Sequence, residues 1–494
     1  MSLKERLKAE TQEAEQKQYQ IEKDPNRLAL HLMPPVGWIN DPNGLCQFNG
    51  EYHVFYQYSP LDPNASSIKV WGHYVSKDQI HWKQLEVPFF PDEEFDRNGV
   101  YSGSAFVEKN RMHIFYTGNV KKVENDDTGF AYSGREANTV LVTSEDGVHF
   151  SEKKLLMTNA DYPKAYTCHI RDPKVWKQCD KYYMIQGGRK KAFPENGADK
   201  NAKCTDYGTV LIFESEDLVH WSFLKDVTSE KRFGYMWECP DYFTVDGQAL
   251  LSLSPQGLAH EQYRYQNVYS SGYFLLDSDI VDSDSAVAVD TERFFEWDMG
   301  FDFYAPQTFC DEKGRRILIG WAGIVDADYD NQPTVDMGWQ HALTLPREIT
   351  WSAGKIHQNP LEEFAALRGS EEIPEQISST VSPVFELMLS QFDADCFIRV
   401  GSREDAFTLS YKDGVLTFAL CGDAGHGRKN RQVRMAELRN LRLIVDTSLV
   451  EIYANDGETV ITSRFYFKDD RRDLEIHGAG KRSLWYLKGL EVTK

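Results

Sequence analysis

Four prolines constrain this chain more than any other feature. Pro42, Pro173, Pro240 and Pro306 stand 131, 67 and 66 residues apart, and because 131 is close to twice 66 they mark a repeat of about 66 residues with one copy lacking its proline. Asp41 and Asp172 directly precede their prolines, and Glu238 precedes Pro240 by two residues. A repeat that varies elsewhere but holds a carboxyl at one position in three copies has the pattern of an active site.

The repeat continues downstream of each proline. Runs such as Tyr52 to Tyr56, Tyr182 to Ile185, Ala249 to Leu253 and Ile317 to Trp321 follow it, and the copy without proline supplies Ser102-Gly103-Ser104 and then Met112 to Tyr116. These runs are short, rich in aromatic and branched residues, and bounded by turn formers, which predicts strands rather than helices. A second signature recurs as Ser76-Lys77-Asp78-Gln79-Ile80-His81-Trp82, Ser144 to Phe150 and Ser215 to Trp221. Its His and aromatic residues are expected to brace a turn and a core.

Fixed-period similarity between units of several strands points to radial repetition of small sheets. The expected fold class is therefore all-β, a five-bladed β-propeller followed by a C-terminal β-sandwich. The expected domains are a helical extension at 1–29, the propeller at 30–350, a linker with a short helix at 351–370 and the sandwich at 371–494. In a propeller the first strand of each blade lines the central channel, so Asp41, Asp172 and Glu238 are expected to meet in one pocket.

Composition narrows the partners. A formal net charge of −21 argues against a nucleic-acid or anionic-membrane surface. No apolar stretch resembles a signal peptide or is long enough to span a bilayer, so the expected location is cytoplasmic. The eight cysteines form no C-x-x-C pair; they are read as reduced and mostly buried, with no zinc site, metal or other cofactor indicated. The first 23 residues, rich in Glu, Lys and Gln, read as a solvated helix.

Trp38-Ile39-Asn40-Asp41-Pro42-Asn43-Gly44, Tyr101-Ser102-Gly103-Ser104, Arg171-Asp172-Pro173 and Trp237-Glu238-Cys239-Pro240-Asp241 resemble, in order and spacing, the motifs of the invertase-type β-fructofuranosidases of glycoside hydrolase family 32. The resemblance runs from about residue 30 to the C-terminus and includes Asp302 to Gln307, Leu345 to Glu348 and Asn455-Asp456-Gly457. It implies that Asp41 is a nucleophile toward a fructosyl anomeric carbon, Glu238 the acid and later base, and Asp172 the residue that holds fructose hydroxyls. Tyr101 stands where many relatives have Phe.

The chemistry accounts for the residue types. A retaining glycosidase needs one charged and one protonated carboxyl, about 5 Å apart. Three crowded carboxyls should keep one proton, which the motif places on Glu238. Asn40 and the Asn43-Gly44 turn are expected to keep Asp41 ionised, and Arg171 to do so for Asp172.

Around this core, Trp38, Asn40, Gln57, Trp71, Ser102, Arg171 and Tyr304 are expected to touch the sugar, with Trp237, Ser104 and Gln307 balanced between pocket and packing. His73 and His113 read as structural. The expected partner is a small sugar: sucrose 6-phosphate in a cell that phosphorylates sucrose on import, or sucrose or a short fructan. The phosphate would then need a cation, for which Arg189 in Gly187-Gly188-Arg189-Lys190-Lys191, directly after the third blade's inner strand, is first choice and Arg264 second. A monomer or homodimer is expected. An exo-acting fructanase, an inverting arabinan- or xylan-directed propeller glycosidase and a non-catalytic carbohydrate-binding propeller remain as alternatives.

Overall fold

In the computed structural model, which describes residues 1–122, 134–192, 205–282, 287–375, 377–378, 380–468 and 472–494, the chain is all-β apart from a few short helices. Residues 37–360 build a succession of antiparallel sheets, each opening with a long buried strand. These opening strands pack side by side: Gly37–Phe48 against Val100–Glu108, then Tyr166–Gln178, Met236–Val245 and Tyr304–Cys310, which returns to Gly37–Phe48. The arrangement is propeller-like, with the opening strands packed around a shared centre.

The prolines sit where this ring needs them. Ladder register slips by one residue in every opening strand, between Ile39 and Pro42, Tyr101 and Gly103, Arg171 and Lys174, Glu238 and Asp241, and Tyr304 and Gln307. A bulge is where a strand tolerates proline, because the lost N–H belongs to no ladder bond there. The second sheet uses Gly103 in its place, where a Cβ would lie 1.9 Å from the carbonyl oxygen of Phe115. Residues before three of the prolines take positive φ: Asp172 at 63°, Cys239 at 48° and Ala305 at 49°. Such backbone is costly outside glycine and is held by the surrounding ladder.

The Ser-Asp-His signature forms one repeated turn. Ser76 Oγ accepts from the Gln79 N–H at 2.8 Å, Asp78 Oδ1 from the Ile80 and His81 N–H groups at 3.0 and 2.9 Å, and His81 Nδ1 meets Asp78 Oδ2 at 2.7 Å. The same contacts recur at Ser144, Asp146 and His149 and at Ser215, Asp217 and His220. Bracing of a turn is thus what these residues do.

The C-terminal region is β-sandwich-like, organised on the 17-residue strand Phe385–Gly401 and a core that includes Phe385, Leu387, Phe407, Phe418, Ile452 and Ile461. Its last strand, Glu491–Thr493, adds in parallel to His81–Phe89 of the first sheet. A buried ionic seam joins the two regions. His31 meets Asp446 Oδ2 at 2.7 Å and Glu451 Oε1 at 3.1 Å, Arg347 bridges Glu451 and Asp298, and Arg428 pairs with Asp302.

Two expectations change. The N-terminal segment forms helices Leu3–Glu15 and Gln18–Ile21, but it is docked rather than solvated: Leu7 and Ile21 are buried in the core of the first sheet. The division after residue 350 falls inside strand Arg347–Ser352, whose hairpin partner Lys355–Pro360 belongs to the same sheet as Tyr304–Cys310 and takes up part of the expected linker. Of the seven described cysteines, none in a disulfide, most are buried as expected, namely Cys46, Cys168, Cys239 and Cys396, with Cys421 half-buried and Cys179 and Cys310 exposed; Cys204 lies outside the described residues.

Candidate active site

Because every opening strand bulges at the same level, each presents two adjacent side chains to the centre, and these form two rings. The residues directly before proline are Asp41, Asp172, Cys239 and Ala305; those one step earlier are Asn40, Arg171, Glu238 and Tyr304. Glu238 therefore belongs to a different ring from the two aspartates.

Within the first ring, the Cys239 N–H donates to Asp172 Oδ2 at 3.0 Å, and Cys239 Sγ lies 3.8 Å from Asp41 Oδ2 and 3.6 Å from Asp172 Oδ2. The two carboxylates thus flank one sulfur. Asp41 accepts from Ser102 Oγ at 2.6 Å and from Asn40 Nδ2 at 3.1 Å, and Asn40 is itself oriented by Trp38 Nε1 at 2.8 Å. Thr117 Oγ1 receives the Asp172 N–H at 2.9 Å, which anchors that bulge to the second sheet.

Within the second ring, Arg171 donates to Glu238 Oε1 from Nε at 3.1 Å and Nη2 at 2.5 Å. Glu238 Oε2 faces Tyr304 OH at 2.6 Å and Gln256 Nε2 at 2.5 Å. Arg171 is held from behind by His169 Nδ1 at 2.8 Å. Beneath both rings, Asp241 Oδ2 accepts from the Thr308 backbone N–H at 2.7 Å and from Lys174 Nζ at 3.2 Å, and Gln307 Nε2 donates to the Cys239 carbonyl at 2.9 Å. This floor ties the third, fourth and fifth opening strands together.

Burial dominates the electrostatics. It pushes the Asp41 carboxyl up, against the hydrogen bonds from Ser102 and Asn40 that pull it down. It pushes Asp172 up to about 7, with Arg171 opposing and the charges of Glu238 and Asp41 adding. Lys69 is pushed down to about 8 by burial, opposed by Asp41.

The structure brings together most of the expected site. Trp38, Asn40, Asp41, Ser102, Arg171, Asp172, Glu238 and Tyr304 share the hydrogen-bonded network above. Gln57 is buried and its Nε2 donates to the Val100 carbonyl at 2.5 Å. Trp71 is fully buried, its Nε1 on the Tyr101 carbonyl at 3.1 Å, so it is a core residue, as is Trp237, whose Nε1 bonds the Phe233 carbonyl at 2.7 Å. Ser104 bonds the Pro173 carbonyl at 2.8 Å, and His73 stacks on Phe55 with ring centroids 3.8 Å apart.

Arg171 departs from expectation: its nearest approach to Asp172 Oδ2 is 4.0 Å, because its guanidinium turns across to Glu238. Arg189 departs further. It lies within strand Lys181–Lys190 rather than after the inner strand, is buried, and donates Nε to Asp206 at 2.8 Å, while Lys190 is paired with Asp226 at 2.6 Å. Arg264 donates to Tyr265 OH and to the Phe294 carbonyl. Sequence reasoning missed Gln256, Thr117 and Lys69, none of which lies in a proline motif; Cys239 was quoted in its motif without a role. Among the described residues, no group of three or more His, Cys, Asp or Glu is arranged to hold a metal ion, and no helix is long and apolar enough to cross a membrane.

Comparison with known proteins places this geometry. The chain is 37% identical over 487 residues to a sucrose-6-phosphate hydrolase of Bacillus subtilis, covering 96% of each, and 32% identical over 470 residues to a raffinose invertase of Escherichia coli, covering 91% of each. Its fold matches a sucrose-6-phosphate hydrolase from Lactobacillus gasseri with a TM-score of 0.84 at 26% identity, over 97% of this chain and 96% of that one. It also matches a family 32 β-fructofuranosidase from Bombyx mori at a TM-score of 0.82 and 28% identity, over 99% of this chain and 100% of that one. Residues 31–360 match the glycosyl hydrolases family 32 N-terminal domain and residues 410–493 its C-terminal domain, so the chain belongs to glycosyl hydrolases family 32.

Proposed function

We propose that this chain is a retaining β-fructofuranosidase that hydrolyses the fructosyl bond of sucrose 6-phosphate, with sucrose as a poorer substrate. The observation that carries this reading is the division of three carboxyls between two rings: Asp41 and Asp172 flank Cys239, while Glu238 stands on its own set of partners. The names of the bacterial relatives support the phosphorylated substrate.

In the first step Asp41 attacks the fructosyl anomeric carbon, and the glycosidic oxygen leaves with a proton from Glu238. In the second, Glu238 takes a proton from water, the oxygen of that water attacks the same carbon, and the ester to Asp41 breaks. Asp41 is suited to attack because Ser102 and Asn40 fix both its oxygens without supplying a cation. Glu238 Oε1 is occupied by Arg171, so the exchangeable proton belongs on Oε2, where the Tyr304 hydroxyl turns from donor to acceptor when it is present. Asp172 receives fructose hydroxyls beside the reacting carbon. No metal or other cofactor takes part in these steps.

The same reading takes the ring of opening strands as a five-bladed propeller, supported by the return of Tyr304–Cys310 to Gly37–Phe48. It sets the domains as a helical extension at 1–29, a catalytic propeller carried on to about residue 360, a short connection, and a sandwich from about 371. A substrate phosphorylated on import implies a cytoplasmic enzyme, working as a monomer or homodimer. A panel of sucrose 6-phosphate, sucrose, raffinose, inulin and levan tests the proposal: the highest kcat/KM is expected on sucrose 6-phosphate, and preference for a fructan would overturn the substrate assignment.

A further inference from the structure

Glu238 accepts from four donor atoms at once: Arg171 Nε and Nη2 on Oε1, and Tyr304 OH at 2.6 Å and Gln256 Nε2 at 2.5 Å on Oε2. Two carboxylate oxygens offer about four lone-pair sites, so this set fills the ionised form completely. An acid must also carry a proton on Oε2, and one donor there then has to give way. The two donors differ in what they can do. Tyr304 can turn its hydroxyl and accept the proton, whereas the Gln256 amide nitrogen has only hydrogens to offer and goes on donating to the remaining lone pair. Gln256 is therefore the contact that Oε2 keeps in both protonation states.

The fourth sheet fixes acid and amide against each other. Glu238 stands opposite Ser254 in the ladder, so Gln256, two residues on and opposite Met236, is its diagonal neighbour on the same face. The Gln256 carbonyl accepts from the Tyr235 N–H at 2.9 Å, and Gly234, at φ 74°, approaches so closely that a Cβ there would lie 2.3 Å from that carbonyl oxygen. An isolated bridge to Tyr269 holds the other side. The charges that act with Glu238 come from Asp41 on the first opening strand, Arg171 and Asp172 on the third, Tyr304 on the fifth, and Cys239, Tyr235 and Arg135 around it. Each of these titrates or is charged. Gln256 is neutral at every pH, and its bond strengthens only as the carboxyl itself becomes charged.

We propose that Gln256 is a positioning residue for the acid–base carboxyl: its amide aims Glu238 Oε2 at the glycosidic oxygen and stabilises the carboxylate that forms as the proton leaves. The proton passes from Oε2 to that oxygen as the oxygen takes the electron pair of its bond to the fructosyl carbon, and Gln256 donates throughout without exchanging a proton. The inference rests on the reading of Glu238 as acid and later base, and is independent of whether the sugar is phosphorylated.

The test measures kcat/KM against pH for wild type, Gln256→Leu, Gln256→Glu, Glu238→Gln and the double variant Glu238→Gln/Gln256→Leu, with thermal unfolding to verify folding. Each is assayed on sucrose 6-phosphate or sucrose, whichever the wild type turns over faster, and on a fructosyl fluoride. Gln256→Leu should lose roughly 10–100-fold on the sugar and less than about threefold on the fluoride, and its alkaline limb should move up by about one pH unit because the carboxylate has lost a donor. Gln256→Glu, which keeps the shape of the side chain and carries the test if Gln256→Leu folds poorly, should recover activity only toward acid pH, where its own carboxyl is protonated and donates. In the Glu238→Gln background the loss from Gln256→Leu should vanish. Equal losses on sugar and fluoride with an unmoved alkaline limb, while Glu238→Gln still spares the fluoride, would overturn the role of Gln256 alone. A Glu238→Gln variant that does not spare the fluoride would overturn the acid assignment, and the inference with it.

Discussion

Arg171 reaches past Asp172, its neighbour in sequence, to Glu238 on the next opening strand: Nε stands 3.1 Å from Glu238 Oε1, while the nearest approach to Asp172 Oδ2 is 4.0 Å. The guanidinium therefore orients the proposed acid and acts on Asp172 through its charge alone, while the Cys239 N–H donates to that carboxyl. If that is its role, Arg171→Lys should resemble Glu238→Gln, with kcat/KM on sucrose 6-phosphate falling roughly 10²–10⁴-fold and far less on a fructosyl fluoride, whose leaving group needs no proton. Asp41→Ala should abolish turnover of both. Comparable losses on good and poor leaving groups would remove Glu238 from the acid role.

Two-step displacement through Asp41 fixes the stereochemistry. Fructose observed by NMR in the first moments of hydrolysis, before it equilibrates, should carry the β configuration, and methanol should be trapped as the methyl β-fructoside. An α first product would refute attack by Asp41.

Asp172 links the site to stability. Burial raises its carboxyl from 3.8 to about 7, so between these values the folded protein binds a proton that the unfolded chain has released, and stability falls as pH rises through this window. Asp172→Asn should therefore unfold at a higher temperature than wild type at pH 7, by on the order of 1–3 kcal/mol in stability, with the difference vanishing near pH 4. It should also be severely impaired in turnover. A variant no more stable than wild type at pH 7 would show that Asp172 is charged without cost.

His31 has the opposite dependence on its charge. Burial lowers it, but hydrogen bonds and charge from Asp446 and Glu451 outweigh burial and raise it from 6.5 to about 9. The seam's contribution is then complete below about pH 6.5 and is lost as pH rises through 9. His31→Gln should cost about 3–5 kcal/mol at pH 7, read from denaturant midpoints, and the deficit should shrink above pH 9. A deficit independent of pH would make the contact one of shape alone.

The repeat was legible because it is written in residues with a backbone meaning. A proline within a strand requires a bulge, a bulge at one level of every opening strand requires a ring, and an acid beside that bulge must face the centre. From Pro42, Pro173, Pro240 and Pro306 the chain alone thus determined an all-β architecture, the convergence of Asp41, Asp172 and Glu238, and the five-sheet ring proposed here. The Asn455-Asp456-Gly457 turn and its flanking strands were equally local and equally readable.

What only the tertiary structure decided is which partner each charge takes. Arg171 and Asp172 are adjacent in sequence but belong to different rings, so the cation pairs across sheets with Glu238. Arg189 appears free in its Gly-Gly-Arg-Lys-Lys run and is spent on Asp206, 17 residues on, while Lys69, in no motif, stands over Trp38 and feels the charge of Asp41. Trp71 lies two residues before His73 in a run that could equally face pocket or core, and packing put it in the core. Local patterns set the direction of a side chain from its backbone. Pairing depends on a few ångströms between side chains of neighbouring sheets, and that distance exists only once the ring has closed.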